Sequence, residues 1–394
     1  MLLELMNILL TIHHHLDPNS GAAGSTLKLG QEYQKLGHQV SYFSFDNLPS
    51  KLPEIIKMII FPYWLTAYLL AKKQSIDVID ASTGDSWLWA TLFRRFHRNS
   101  ILITRTHGLE HIVHLENLAE SARGNLKLSW KYPLYHGGFH LWEVKSSIEN
   151  ADLTLTLNSC ELDYAREEWG VTTQKLAIVS HGIPEEFMNL PKKNTTQSAD
   201  STIGIAQIGS FIDRKGIKYS VPALNNILKR HDRVKVSFLG TGCPANKVLE
   251  NFDPEVRHKV TVVPTYNHHA LPDLLKGHQI QVFPTLSEGF GLALIEAMAC
   301  GLVPITTPTP GFMETIVNRQ NGLLVPLRNS QAIEDALEEL ILNPSQLEPM
   351  RLNAYKTTLD YSWANIAQKN LALYRQVIQQ KEVEHIVKSR GTFD

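Results

Sequence analysis

Glu288 and Glu296 stand eight positions apart in the run PTLSEGFGLALIEAMACGLVP (284–304). Between them lie Gly289-Phe290-Gly291 and then an apolar segment with helical spacing that begins at Leu292. A strand-like QIQVF (279–283) comes first, so the order is strand, short glycine loop, helix. Glycines let backbone approach a ligand closely. A helix starting there aims N–H groups and partial positive charge at an anion. Carboxylates repel phosphate but accept hydrogen bonds from hydroxyls. An anion site flanked by hydroxyl acceptors suits a sugar joined to a phosphate.

The elements that must position this run alternate along the whole chain. Short apolar strands are expected at 7–12, 39–45, 78–81, 101–106, 153–158 and 175–180, with helical segments between most of them. A polar stretch, PKKNTTQSAD (191–200), has the composition of a linker. A second series follows at 202–209, 234–240, 259–264, 279–284, 303–307 and 322–326, then helices near 330–343 and 345–358 and an amphipathic tail at 361–380. This is the signature of an α/β protein with mainly parallel sheets, because crossovers of that length join parallel strands. A length of 394 residues favours two domains. We expect an N-terminal domain at 1–190 completed by a returning C-terminal helix (361–394), and a second at 201–360.

Composition excludes several classes. A net charge of −1 gives no global field for nucleic acid. Three widely spaced cysteines, Cys160, Cys243 and Cys300, argue against a disulfide framework or zinc site and suit the cytoplasm. The start, MLLELMNILLTI, lacks a basic leader and cleavage site and reads as the approach to a buried strand. The run 55–71, IIKMIIFPYWLTAYLLA, contains Lys57 and Pro62 and falls short of a spanning helix. It reads as a packed, proline-broken helix. Its second reading, with FRRFHR (93–98) nearby, is a surface in peripheral contact with an anionic bilayer at the inner face of the membrane.

The glutamate run resembles the E-x7-E motif of retaining GT-B glycosyltransferases of family 4 (glycosyl transferases group 1), and the resemblance covers nearly the whole chain. It implies a GT-B fold of two Rossmann-like domains facing across a cleft, the first binding the acceptor near His107 and the 17–25 loop and the second the nucleotide sugar, with the last helix crossing back to the first. The segment from Gly209 to Gly216 resembles the family's G-R-x-x-x-x-K-G element, whose cations hold the diphosphate. Lys215 matches it; Ser210 stands where the family has Arg, and Arg214 is the nearest replacement. Gly240-Thr241-Gly242 resembles a glycine turn near the nucleotide, and the loop Tyr266-Asn267-His268-His269 falls near the nucleobase. Thr309-Pro310-Gly311-Phe312-Met313-Glu314 resembles G-G-x-x-E with one glycine replaced by Pro310. In the first half, 17–25 is similar to the family's glycine-rich loop, with Gly21 as a substrate-binding glycine. His107, at the end of the fourth strand, matches a histidine near the reacting centre. His13, His14 and His15 close the first strand within reach of the same cleft. Ser180-His181-Gly182-Ile183-Pro184 resembles N-G-I-D, with His181 for Asn.

The resemblance implies a retaining hexosyl transfer from a nucleoside-diphosphate sugar to a saccharide, lipid-linked or small-molecule acceptor, in polysaccharide or glycoconjugate synthesis. Glu296 would bind ribose hydroxyls. Glu288, with Gly289, Phe290, Gly291 and Leu292, would bind the sugar. Lys215 and Arg214 would stabilise the departing diphosphate. There is no Asp-x-Asp sequence, so no metal or other cofactor is expected; a site built from His107, His111 and His114 is the weaker reading. Two alternatives remain: a sugar-nucleotide epimerase of the same fold, and a non-catalytic GT-B subunit.

Overall fold

The computed structural model describes residues 5–72, 75–94, 100–188 and 202–390. The linker expected at 191–200 and the basic residues Arg95 and Arg98 lie outside the described residues. The chain divides into two compact units, Met1–Gly182 with Trp363–Asp394, and Ile183–Ser362.

In the first unit the strands are β1 (Asn7–Ile12), β2 (Gln39–Ser44), β3 (Val78–Ser82), β4 (Ile101–Arg105), β5 (Leu153–Thr156) and β6 (Leu176–Ile178). The helices are α1 (Gly21–Lys35), α2 (Glu54–Ala71), α3 (Glu110–Ala122), α4 (His140–Glu149) and α5 (Ser159–Trp169). The sheet is parallel and ordered β2-β1-β3-β4-β5-β6. Chain progression therefore reverses between β1 and β3, which is the switch point at which open α/β sheets form ligand crevices. The strands read as unbroken apolar runs because both faces are covered.

The second unit holds β7 (Ile203–Ile208), β8 (Val234–Leu239), β9 (Val260–Val263), β10 (His278–Phe283), β11 (Val303–Thr306) and β12 (Leu323–Leu324). Its helices are α6 (Ile217–Arg230), α7 (Ala245–Leu249), α8 (Leu271–Leu274), α9 (Leu292–Ala299), α10 (Pro310–Met313), α11 (Ser330–Leu342) and α12 (Pro344–Thr358). The order β12-β11-β10-β7-β8-β9 puts its switch point between β7 and β10.

The final helix, α13 (Trp363–Arg390), belongs to the first unit. Its Trp363, Ile366, Ala367, Leu371, Tyr374 and Val377 enter one core with Ile8, Leu10, Leu29 and Tyr33. A buried polar network pins it: Arg105 Nη2 donates to Asp80 Oδ2 at 2.7 Å and to Asn370 Oδ1 at 3.1 Å. Tyr374 O–H donates to the same Asp80 oxygen, and the hydroxyls of Tyr33 and Tyr374 meet at 2.9 Å.

Three expectations need correction. Residues 183–188, read from sequence as part of the first domain, pack in the second unit. Ile183 N–H donates to Tyr361 O at 2.7 Å, Phe187 is buried beside His268, and Met188 O accepts from Tyr355 O–H at 2.6 Å. Second, α2 is not broken at Pro62: it runs on for 18 residues and has the length and apolar composition to cross a membrane. Phe61, Leu65 and Leu69 sit in the core, which fixes the helix through the proline. Ile55, Ile56, Tyr63, Trp64 and Leu70 are exposed. Third, the basic cluster at 93–98 loses one free charge, because Arg94 is ion-paired with Asp152.

Candidate active site

The second unit's switch point is built by the loops that follow β7 and β10. Gly216 has φ +75°, and a Cβ there would lie 1.9 Å from Pro284 O. Only glycine lets the two loops touch backbone to backbone at this point. Arg214 O accepts from Leu286 N–H at 2.8 Å and from Thr285 Oγ1 at 3.0 Å, and Arg214 Nη1 donates to Ser287 O at 3.2 Å. This stitching brings Lys215 Nζ to 2.6 Å from Glu288 Oε2, with the ammonium 4.7 Å from the centre of the Phe283 ring. Both side chains of the pair are about one-sixth exposed, 16% each.

Gly291, at φ +82°, starts α9, and no side chain caps that end. A Cβ at Gly291 would strike Phe312 at 2.1 Å, and one at Gly311 would lie 2.6 Å from Gly289 C. Gly311 N–H donates to Glu288 O at 3.1 Å. Of the family's two glycines here, the one retained is therefore the one pressed against the 289–291 loop. Pro310 opens α10 at a position where its missing N–H costs nothing.

Glu296, on α9, is buried and meets His268 Nε2 at 2.6 Å. Tyr266 lies against Gly240: a Cβ there would be 2.9 Å from its ring. Burial, and then Glu296, push the Tyr266 hydroxyl pKa up, so it remains a phenol. Ser210 is exposed, with its carbonyl accepting from Ile212 N–H at 2.9 Å. Arg214, Lys215, Glu288 and the 289–292 loop are thus assembled at one switch point. The sequence reading gave Lys215 and Glu288 separate tasks; without ligand they neutralise each other. No sequence signal links His268 to Glu296, 28 residues away.

In the first unit His107 follows β4. Its Nε2 is 3.2 Å from Ser82 Oγ, and its ring stacks on His181 with centroids 5.3 Å apart. Burial, then His181 and Arg105, hold His107 well below the ordinary histidine range; burial and Arg105 lower His181 to about 3. Both imidazoles are neutral at pH 7. Gly21 is the first residue of α1, with open space where a Cβ would go, so nothing in the backbone requires glycine there. His111 packs on Trp169 and His114 on Tyr132. Among the described residues no group of three or more His, Cys, Asp or Glu side chains is gathered as for a metal.

Residues 19–187 match the model described as Glycosyltransferase Family 4, and residues 191–357 match Glycosyl transferases group 1. The chain belongs to this glycosyltransferase family. It is 29% identical over 247 residues to an uncharacterized glycosyltransferase of Methanocaldococcus jannaschii, covering 60% of this chain and 63% of that protein. It is 25% identical to a D-inositol 3-phosphate glycosyltransferase of Corynebacterium urealyticum, covering 58% of each. The matches therefore span about three-fifths of these relatives' length. In fold it is similar to sucrose-phosphate synthase from Thermosynechococcus elongatus, at TM-score 0.73 and 20% identity, covering 95% of this chain and all of that one.

Proposed function

We propose that this chain is a retaining glycosyltransferase that moves a hexose from a nucleoside-diphosphate sugar to a hydroxyl acceptor, without a metal ion, in glycoconjugate or polysaccharide synthesis. The observation that carries this is the Lys215–Glu288 pair at the second switch point, beside the glycine-led start of α9. A bound donor would split the pair. Lys215 would take the diphosphate and, with Arg214, stabilise the charge that grows on it as the glycosidic bond breaks. Glu288 would be released to accept from sugar hydroxyls, and Glu296 from the ribose. Family membership supports the reaction class. The relative named for D-inositol 3-phosphate supports a small hydroxylated acceptor as one option.

The test is a panel of uridine, guanosine and adenosine diphosphate sugars in a thermal-shift assay, then transfer assays with and without EDTA. One donor should raise the melting temperature by mass action, and transfer should survive EDTA with the anomeric configuration kept. Lys215→Ala and Glu288→Ala should each abolish transfer and leave the fold intact. Full turnover in either variant would refute the assignment.

We also place the protein in the cytoplasm, with the exposed side of α2 against the inner leaflet. The support is the exposure of Ile55, Ile56, Tyr63 and Trp64. Sedimentation with anionic vesicles should fall when Tyr63 and Trp64 become serine, and equal sedimentation would remove this placement.

A further inference from the structure

Glu296 is a buried carboxylate, and the group that holds it lies outside the E-x7-E run. Its Oε1 is 2.6 Å from His268 Nε2, with the two side chains 7% and 18% exposed. Its Oε2 makes no hydrogen bond among the described residues, and no lysine or arginine pairs with it there. Burial, and then the charge of Glu296, push the Tyr266 phenol and the Cys300 thiol up, so both stay neutral and neither offsets that charge. A glutamate side chain has several rotatable bonds. Tying one oxygen to an imidazole removes much of that freedom before any ligand arrives.

His268 is itself braced. It opens a single helical turn, His268–Ala270, whose cap is Asn267: its Oδ1 accepts from His269 N–H at 3.1 Å. The His268 ring lies 5.1 Å from the ring of Phe187, which is buried. His269 is ion-paired with Glu186, the residue before Phe187. Residues 186 and 187 therefore hold the loop at two successive positions, and the loop presents an imidazole to α9. All of these residues belong to the second unit.

A carboxylate has about four lone-pair sites. With one occupied by His268, Oε2 and the remaining lone pair of Oε1 stand side by side and can accept from two neighbouring hydroxyls. We propose that His268 is a positioning residue for the donor: it fixes the Glu296 carboxylate to receive both ribose hydroxyls, and so makes the site select ribonucleotides over 2′-deoxyribonucleotides. This rests on the reading of Glu296 as the group that binds ribose. It adds a residue from another loop that sets how sharply the sugar of the nucleotide is recognised.

The experiment measures, by calorimetry, the affinity of uridine, guanosine and adenosine diphosphate and of their 2′-deoxy forms for the parent and for variants. The parent should hold the ribo form of its preferred nucleotide at least about tenfold more tightly than the deoxy form, the worth of one hydrogen bond to a charged group. His268→Ala should lose about tenfold for the ribo form and little for the deoxy form, so that the preference collapses. His268→Gln, which keeps an N–H donor, should restore most of it. His268→Phe keeps a ring against Phe187 but has no N–H; it should behave like His268→Ala, and it carries the test should that variant not fold. A residue that only shaped the loop would weaken both forms equally. Lys215→Met should do that, since it acts on the diphosphate, and should keep the ratio. In a double-mutant cycle, His268→Ala should add no further loss to Glu296→Ala. A ribose preference that survives in His268→Ala or His268→Phe would overturn the proposal. So would an additive loss in the cycle, because His268 would then touch the nucleotide itself. A parent that binds a nucleoside diphosphate without ribose preference removes the reading of Glu296, and the proposal with it. A parent that binds none removes the donor site as a whole.

Discussion

The two sheets are cut to one plan, six parallel strands with a reversal of chain order near the middle, yet their switch points carry opposite chemistry. At the second, a cation and a carboxylate hold each other, partly exposed, beside a glycine-lined loop pair. At the first, carboxylates are buried and fully bonded, and what they present outward is imidazole and phenol. Burial opposes charge on His13 there, but Asp85 outweighs it and holds the imidazole toward its protonated form. The difference between the two switch points is one of burial and charge pairing. It also places ionic side chains in different roles. In the second unit the ion pair is partly exposed, whereas the ion pair Asp80–Arg105 of the first unit is buried beneath α13.

The same substitution made in each unit should expose this contrast. Lys215→Met is expected to lower kcat by roughly 100- to 1,000-fold, the usual effect of deleting one charge-stabilising donor. Its effect on stability should stay within about 1 kcal/mol, since the pair is partly hydrated. Arg105→Met should do the opposite. It strands Asp80, which is 3% exposed, and should cost about 3–5 kcal/mol in urea unfolding of the first unit. If Arg105→Met left unfolding unchanged, or if Lys215→Met lost stability and kept turnover, the contrast between a functional and a structural pair would be wrong.

How much of this could be read from the sequence follows the same divide. The loop before α9 is written contiguously: Glu288, the glycines and α9 fall in one run, and Lys215 lies in a second short motif. Alternation of apolar strands with helices was enough to place all twelve strands within a few residues. The meeting of Lys215 with Glu288 was not legible, because they are 73 residues apart and only the strand order, β10 beside β7, makes them neighbours. His13 was visible as one of three histidines closing the first strand, but nothing in the sequence links it to Asp85, 72 residues away. Pro62 was misjudged because local propensity favours a break there, while the core around Phe61 and Leu65 holds the helix together.

Glycines offer a finer comparison. Gly291→Ala puts a Cβ 2.1 Å from Phe312 in a left-handed backbone, whereas Gly21→Ala meets open space in an ordinary helical turn. The strain at Gly291 should amount to about 1–3 kcal/mol. It should appear as weaker donor binding, because the loop that starts α9 must move. Gly21→Ala should leave melting temperature and donor affinity where they were. Equal behaviour of the two variants would mean that the 289–292 loop is not the donor's cradle.

The smallest expected effect concerns protons. His181 has a pKa near 3 because it is buried and lies beside Arg105; in the unfolded chain it returns to about 6.5. As pH falls below 6.5 the unfolded form takes up a proton that the folded form refuses, so stability present above that value is lost progressively toward pH 3. The slope is at most about 1.4 kcal/mol per pH unit for one group. His107, stacked on the same ring and also lowered, adds in the same direction. His181→Asn introduces the family's residue and removes one titrating group while keeping a polar side chain at the turn. The acid limb of the first unit's stability, followed by urea unfolding at pH 7, 6 and 5, should become shallower in this variant. Lys215→Met, which touches neither imidazole, should leave that limb as steep as in the parent. An unchanged slope in His181→Asn would show that the buried histidine pair does not set the first unit's response to acid.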